Sequence, residues 1–378
     1  GVNFDPIAGV LGESRAVESH LDNLFKVESL GLSDDTPSDS DSKQIQEFAS
    51  QIEYENHRYS VAVPWRSGIE NVKPNFHIAR AVLERVVHKL DAGGLRDSYQ
   101  AVFQDQLRQG ILEEVDLESI DVNDHVWLPH RAVVKMDGTV TTKVRPVLNA
   151  SFKVGSDPSL NDVAYPGINL LQNLFQLSLK VRFNEYLVIS DVKQAYLQIR
   201  LKLDSDRNKF SILWLDANGK LIAYRYATLV FGFVSSSFIL NYLIKYHMDK
   251  YPSDICSHLL KNNVYVDNFY VTGNDVTTLT NIFYESRQRM QEGGFELRSW
   301  ASNSISLQNS FQSENVSPSH TLDYEKVLGY KYYPAQDQIG LADIDSKLNL
   351  DEDLVITKRV FASMVAKIFD PLGLYSPV

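Results

Sequence analysis

Tyr186-Leu187-Val188-Ile189-Ser190-Asp191 runs four apolar or aromatic residues and a serine into a lone carboxylate. Its β-branched content and bounded length predict a buried strand over 185–191. A second segment, Tyr265-Val266-Asp267-Asn268-Phe269-Tyr270-Val271, is apolar on both sides of an Asp-Asn pair. A carboxylate among apolar neighbours is costly unless it is paired or holds a metal. An aspartate at a strand end and one at a hairpin tip can converge. Together they would offer oxygen ligands to Mg²⁺, which takes one or two carboxylates plus substrate phosphates. Two such ions form the clamp used for in-line phosphoryl displacement. The same Asp-Asn pair also reads as a plain turn, which those residue types favour. The residues alone leave both readings open.

Outward from these segments, the pattern mixes strands and helices. Ile78, Ala79, Val82, Leu83, Val86, Val87 and Leu90 recur at helical period after Pro74 and Asn75. A second helix is expected over 98–112. Residues 58–65 alternate like a strand stopped by Pro64. Short strands follow at 126–129, 132–135 and 144–148, around an Asp137-Gly138 turn. Residues 169–179 read as a helix. A hairpin is expected over 209–226, around Asp216-Ala217-Asn218-Gly219, with helices over 235–250 and 275–291. Strands interleaved with helices in this order indicate an α+β fold.

The 378 residues are 44% hydrophobic and 22% charged, a globular composition that excludes wholesale disorder. One cysteine, Cys256, excludes an internal disulfide framework and a cysteine-rich zinc site. No apolar run reaches membrane-spanning length, and no charged-then-apolar leader opens the chain. The expectation is therefore no membrane and no secretion, with an intracellular location in the cytoplasm or in particles. The net charge of −11 argues against a polyanionic partner, but its distribution reverses that reading. Residues 127–251 hold 16 Lys/Arg against 9 Asp/Glu, a net +7, while residues 1–60 carry 4 against 12. A local cationic surface is what a nucleic acid meets. The acidic stretch 33–43 reads as a solvated linker or helix entry, lacking the glycine and glutamate of a calcium loop.

Several motifs occur in an order that carries more weight than any one of them. Asp191-Val192-Lys193-Gln194-Ala195-Tyr196-Leu197-Gln198-Ile199 resembles the first catalytic motif of reverse transcriptases. Phe231-Gly232-Phe233-Val234-Ser235-Ser236-Ser237-Phe238 resembles their Phe-Gly motif, and Tyr265-Val266-Asp267-Asn268 their Tyr-x-Asp-Asp box. Gly293-Gly294-Phe295 and Val327-Leu328-Gly329-Tyr330 resemble the two later motifs. The match is closer still to the Pao (BEL/Pao) retrotransposon polyproteins. It runs through Leu128-Pro129-His130-Arg131, Pro158-Ser159-Leu160-Asn161-Asp162, Pro166-Gly167-Ile168-Asn169-Leu170-Leu171, Gly294-Phe295-Glu296-Leu297-Arg298-Ser299-Trp300, and the closing residues 368–378. The resemblance covers the chain from about residue 20 to its end.

This resemblance implies a right-hand polymerase with an antiparallel palm sheet backed by helices. Residues 1–57 would be an acidic segment and linker from upstream polyprotein. Residues 58–180 would form fingers with N-terminal helices, 181–300 the palm, and 301–378 a partial thumb or connection. It implies an RNA-directed DNA polymerase using dNTPs, an RNA or DNA template-primer, and two Mg²⁺ or Mn²⁺ ions. Asp191 and Asp267 match the metal-binding aspartates, with the Val192 carbonyl as a further ligand and Asn268 beside them. Lys135 and Arg145 match the cations that hold the triphosphate, a point charge and a fork. Tyr196 matches the gate against a ribose 2′-OH, though core packing is its plainer role. Phe231 and Gly232 match the segment under the nucleotide. Gly329 matches the primer-holding turn. Lys193 and Arg200, in a cationic cluster with Lys202, Arg207 and Lys209, would meet the template-primer phosphates. A solvated charged face is the other reading of that cluster. Adjoining protease, RNase H and integrase domains are implied, and the oligomeric state stays open.

The sequence departs from the family pattern where the box ends in Asn268 instead of aspartate, and where Val230 and Ser237 replace frequent prolines. The missing carboxylate is compatible with an active enzyme, since the other two aspartates carry the ions in most schemes. It is equally compatible with a catalytically impaired or domesticated nucleic-acid-binding descendant. An aspartic peptidase has polyprotein membership behind it and no Asp-Thr-Gly or Asp-Ser-Gly centre.

Overall fold

The computed structural model describes residues 38–135, 143–216, 218–252, 256–316, 324–341, 356–365 and 370. The Asp137-Gly138 turn, most of the N-terminal acidic segment, and the closing signature apart from Asp370 lie outside these. The described chain is α+β. Its strands are β1 (Glu53–Glu55), β2 (Arg58–Val61), β3 (Leu112–Val115), β4 (His130–Lys135), β5 (Lys143–Leu148), β6 (Tyr186–Val192), β7 (Arg200–Leu201), β8 (Ser211–Leu215), β9 (Leu221–Tyr226), β10 (Val264–Tyr265), β11 (Asn268–Gly273), β12 (Leu297–Ser302), β13 (Glu325–Val327), β14 (Tyr330–Tyr333) and β15 (Gln338–Leu341). All named pairs are antiparallel except β2 with β7. Among the described residues no helix is long and apolar enough to cross a membrane.

The central sheet has the order β10-β11-β6-β12. Successive side chains on a strand face opposite ways, so β6 serves two layers. Val188 and Val192 enter the main core with Phe269, Val271 and Trp300, under helices Ser236–Lys250 and Val276–Glu292. Leu187 and Ile189 point the other way and pack with Tyr270, Val327, Leu328 and Tyr332. Asp191 continues this second row, at the sheet end where the apolar cover stops.

Helix Phe76–Ala92 buries Ala79, Leu83, Val87 and Leu90, the stripe that the sequence period identifies. The helix expected over 98–112 instead spans Arg96–Arg108, and Leu112 opens β3, which pairs with β9. Gly110 supplies the left-handed residue (φ +65°) that ends the helical path. The helix expected over 169–179 is confined to Leu174–Lys180, because Asn173 caps the Gln176 amide. Ser38 and Asp41 form a reciprocal cap on helix Asp39–Ser50, so the acidic stretch becomes helix from Asp39. The sheet β3-β9-β8 combines residues from either side of position 180, as does the β2–β7 pair.

Helix Val276–Glu292 closes on Gly294 (φ +80°), with the Phe295 amide donating to the Met290 carbonyl at 2.8 Å. A Cβ on Gly294 would lie 2.5 Å from the His57 carbonyl oxygen, so the β1–β2 hairpin turn can approach only a glycine. The Gly293-Gly294 turn leads the chain into β12, the fourth strand of the central sheet.

Candidate active site

The register of the central sheet brings the two aspartates together. Asn268 on β11 lies directly opposite Asp191 on β6, and Asp267 precedes it at the tip of the β10–β11 turn. The Val192 amide donates to the Asp267 carbonyl at 2.7 Å and locks the turn against β6. Val266 holds φ at +58°, a left-handed conformation that a β-branched residue adopts at a cost. Such strain persists where surrounding structure dictates it. Here the β10–β11 pairing and the Val192 bond do so.

Burial pushes the Asp267 carboxyl above the usual carboxylate range, and the Asp191 charge pushes it further. Arg145 and Arg298 act in the opposite direction. The Asn268 amide donates to Asp267 Oδ1 at 3.2 Å, a bond that a second carboxylate could not make. Two like-charged oxygen donors, one on β6 and one in the adjoining β10–β11 turn, fit a hard divalent cation, which supplies the missing counter-charge. Among the described residues no group of three or more His, Cys, Asp or Glu is placed to hold a metal. The protein would therefore give such an ion few ligands, leaving the rest to substrate phosphate and water.

The structure gathers other sequence-identified residues around this pair. Tyr196 lies on a short 3₁₀ turn after β6, with Gln194 in the left-handed region (φ +53°). Its ring meets Phe231 edge-on, centroids 4.9 Å apart. Burial raises the Tyr196 phenol, and the Asp267 charge raises it further. Phe231 is 38% exposed beside it. Gly232 has φ +93°, and a Cβ there would lie 2.5 Å from the Leu148 carbonyl oxygen. That contact seats the Phe231-Gly232 segment on the end of β5. Arg145, exposed on β5 opposite Val133, lies close enough for its charge to act on Asp267. Lys135 ends β4 opposite Lys143, and its side chain lies outside the described residues.

The cationic cluster is more dispersed. Lys193 is paired with Glu296 at 2.8 Å, Lys202 with Glu53 at 2.6 Å, and Arg207 with Glu113 at 3.0 Å. Arg200 is exposed on β7. Gly329 (φ +91°) and Leu328 (φ +50°) make the two-residue turn between β13 and β14. The Leu328 amide donates to the Tyr270 hydroxyl at 3.4 Å, and Leu328 packs on the face that carries Asp191.

Two site residues escape sequence reasoning. Arg298 on β12 lies opposite Asp191, and its Nε donates to Asp191 Oδ2 at 3.0 Å. Glu325 on β13 alternates with Val327 and pairs with Tyr332, both of which pack on the Asp191 face. Its carboxyl is pushed up to about 7 by burial and then by the Asp191 charge. The signal for both is tertiary. Residues more than 100 positions apart meet across strands.

No family model matches the sequence, and no curated protein matches it significantly. Among solved structures, a foamy viral protease-reverse transcriptase (dRH) in complex with double-stranded DNA is similar at 18% identity and TM-score 0.49, over 72% of this chain and 39% of that one. A foamy viral protease-reverse transcriptase in complex with an RNA/DNA hybrid gives 14% identity and TM-score 0.48, over 87% of this chain and 38% of the other. A foamy viral protease-reverse transcriptase in complex with dsDNA gives 18% and 0.47, over 72% and 47%. This chain thus spans less than half the length of each.

Proposed function

We propose that the chain is the reverse-transcriptase region of a Pao-type retrotransposon polyprotein, an RNA-directed DNA polymerase. The observation that carries this reading is the approach of Asp267, in the β10–β11 turn, to Asp191 on β6, with Arg145 acting on Asp267 and the Tyr196–Phe231 ring pair near the same carboxylate. The motif order supports the same assignment. Residues 58–180 serve as fingers, 181–300 as palm and 301–378 as partial thumb or connection. Protease, RNase H and integrase belong to neighbouring parts of the parent polypeptide.

In this reading a primer 3′-hydroxyl attacks the α-phosphorus of a dNTP. A new P–O bond forms, the bond from the α-phosphorus to the pyrophosphate oxygen breaks and pyrophosphate leaves, and the hydroxyl proton passes to solvent water. Positioning and charge stabilisation account for most of the rate. Asp191 and Asp267 would hold the cations, with the Val192 carbonyl as a further ligand. Two Mg²⁺ or Mn²⁺ ions, when bound, supply the charge neutralisation of an in-line displacement. Arg145 and Lys135 bind the triphosphate. Tyr196, braced by Phe231, walls the sugar pocket, and Gly232 lets that segment sit close to β5. Arg200, Lys193 and the Gly329 turn meet the template-primer through its backbone, with little sequence preference.

The second reading is a non-catalytic nucleic-acid-binding descendant. Asn268 favours it, because the site carries one carboxylate fewer than the family box. Primer extension on an RNA template, in Mg²⁺ and separately in Mn²⁺, decides between them. Extension that Asp267→Ala abolishes establishes the polymerase. Tight primer-template binding without extension establishes the descendant, and neither binding nor extension refutes both.

A further inference from the structure

Asp191 has a neighbour on each side along the sheet. Asn268 stands opposite it on β11 and Arg298 opposite it on β12. Directly opposite residues of antiparallel strands present their side chains on one face. The strand register shifts immediately after Arg298, and Ser299 takes φ +54° there. A bulge of this kind re-aims the neighbouring side chain. The result is the 3.0 Å ion pair from Arg298 Nε to Asp191 Oδ2. Arg298 is 44% exposed and Asp191 28%, so solvent and solutes reach the pair.

A carboxylate oxygen held by a guanidinium is less available to a cation, and the guanidinium charge repels that cation. Asp191, Asp267, Asn268 and Arg298 together carry one net negative charge, a weak attraction for a divalent ion. The adjacent Lys193 is paired with Glu296 at 2.8 Å. Resting on the two-cation reading above, we infer that Arg298 is a positioning residue that competes with the divalent ion for Asp191. It orients the carboxylate before the ion arrives and sets the concentration at which the site fills.

The test is Mn²⁺ binding to the whole chain, followed by the loss of the free-ion paramagnetic resonance signal. R298Q should bind Mn²⁺ about tenfold more tightly than the parent, a size set by one charge at close range. R298K keeps the charge but loses the fork, and should bind about two- to threefold more tightly. Adding D191N to either background should remove the gain. Unchanged or weaker affinity in a folded R298Q overturns the inference. If R298Q fails to fold, unchanged or weaker affinity in R298K does so. Binding in the parent that D191N leaves untouched overturns the two-cation reading instead. No Mn²⁺ binding in parent or variants overturns both.

Discussion

Replacing Glu325 with glutamine removes a carboxyl that folding places beside Asp191 and the apolar cover of the sheet. In the folded chain this group takes up its proton at about 7, against 4.5 for an unperturbed glutamate. Between those values the unfolded chain releases the proton while the folded chain retains it. Stability from this group is therefore undiminished below about pH 4.5, falls as pH rises through the interval, and is lowest above 7. At about 1.36 kcal/mol per pH unit, the span amounts to roughly 3 kcal/mol. Glu325 is half-buried, so screening on its open side reduces this to about 1–2 kcal/mol. Glu325→Gln removes the pH-dependent loss and keeps the shape. Urea denaturation in EDTA should show parent and variant nearly equal at pH 4, and the variant more stable by about 1–2 kcal/mol at pH 8. Because Asp191 is the second cause of the shift, the pH 8 difference should shrink in an Asp191→Asn background. A difference that is the same at both pH values, or that favours the parent at pH 8, would refute the reasoning.

Asn268→Asp should tighten Mn²⁺ binding about fivefold while lowering unliganded stability by about 1 kcal/mol, since it adds a like charge beside Asp267. Resonance titration and urea midpoints in EDTA measure the two effects separately, and a gain in both would contradict the charge argument. Gly232→Ala should cost roughly 2–4 kcal/mol, from a left-handed alanine and its close approach to the Leu148 carbonyl. Gly110→Ala, also left-handed (φ +65°) but with nothing within 4 Å of the added Cβ, should cost about half as much. Equal losses would remove the steric part of that account. Val266→Asn should stabilise the unliganded chain by about 0.5–1 kcal/mol, because asparagine tolerates the left-handed conformation that valine resists. A lower urea midpoint would show that the Val266 side chain contributes more by packing than its backbone costs.

The α+β class and the strand that ends in Asp191 were legible from the apolar run alone. So were helices Phe76–Ala92, Ser236–Lys250 and Val276–Glu292, whose apolar spacing is local. The β10–β11 hairpin was also legible, because the Asp267-Asn268 pair interrupts an apolar run. What escaped depends on contacts far apart in sequence. Leu297-Arg298-Ser299-Trp300 does not alternate like a strand, since the bulge at Ser299 breaks the two-residue period and returns Trp300 to the core. Without β12 as a strand, nothing links Arg298 to Asp191, 107 positions away. Glu325 escaped for a similar reason, because its position depends on how the β13–β14 hairpin seats on the sheet. The cationic cluster shows the opposite limit. Composition gathers Lys193, Lys202 and Arg207, but folding gives each of them a carboxylate partner.

The β13–β14 hairpin touches the sheet through a small apolar group that is separate from the main core: Leu177, Val181, Leu187, Ile189, Tyr270, Val327, Leu328 and Tyr332. The hairpin's apolar contact with the sheet is small, which predicts that it opens below the global unfolding free energy. Amide protons of β13 and β14 should therefore exchange ahead of those in β6, although the two elements are in contact. Each opening would bare the sheet face beside Asp191 without disturbing the layer on the far side of the same strand. On this expectation one strand would join a slow, rigid interior to a fast-breathing exterior, with the carboxylate on the breathing side.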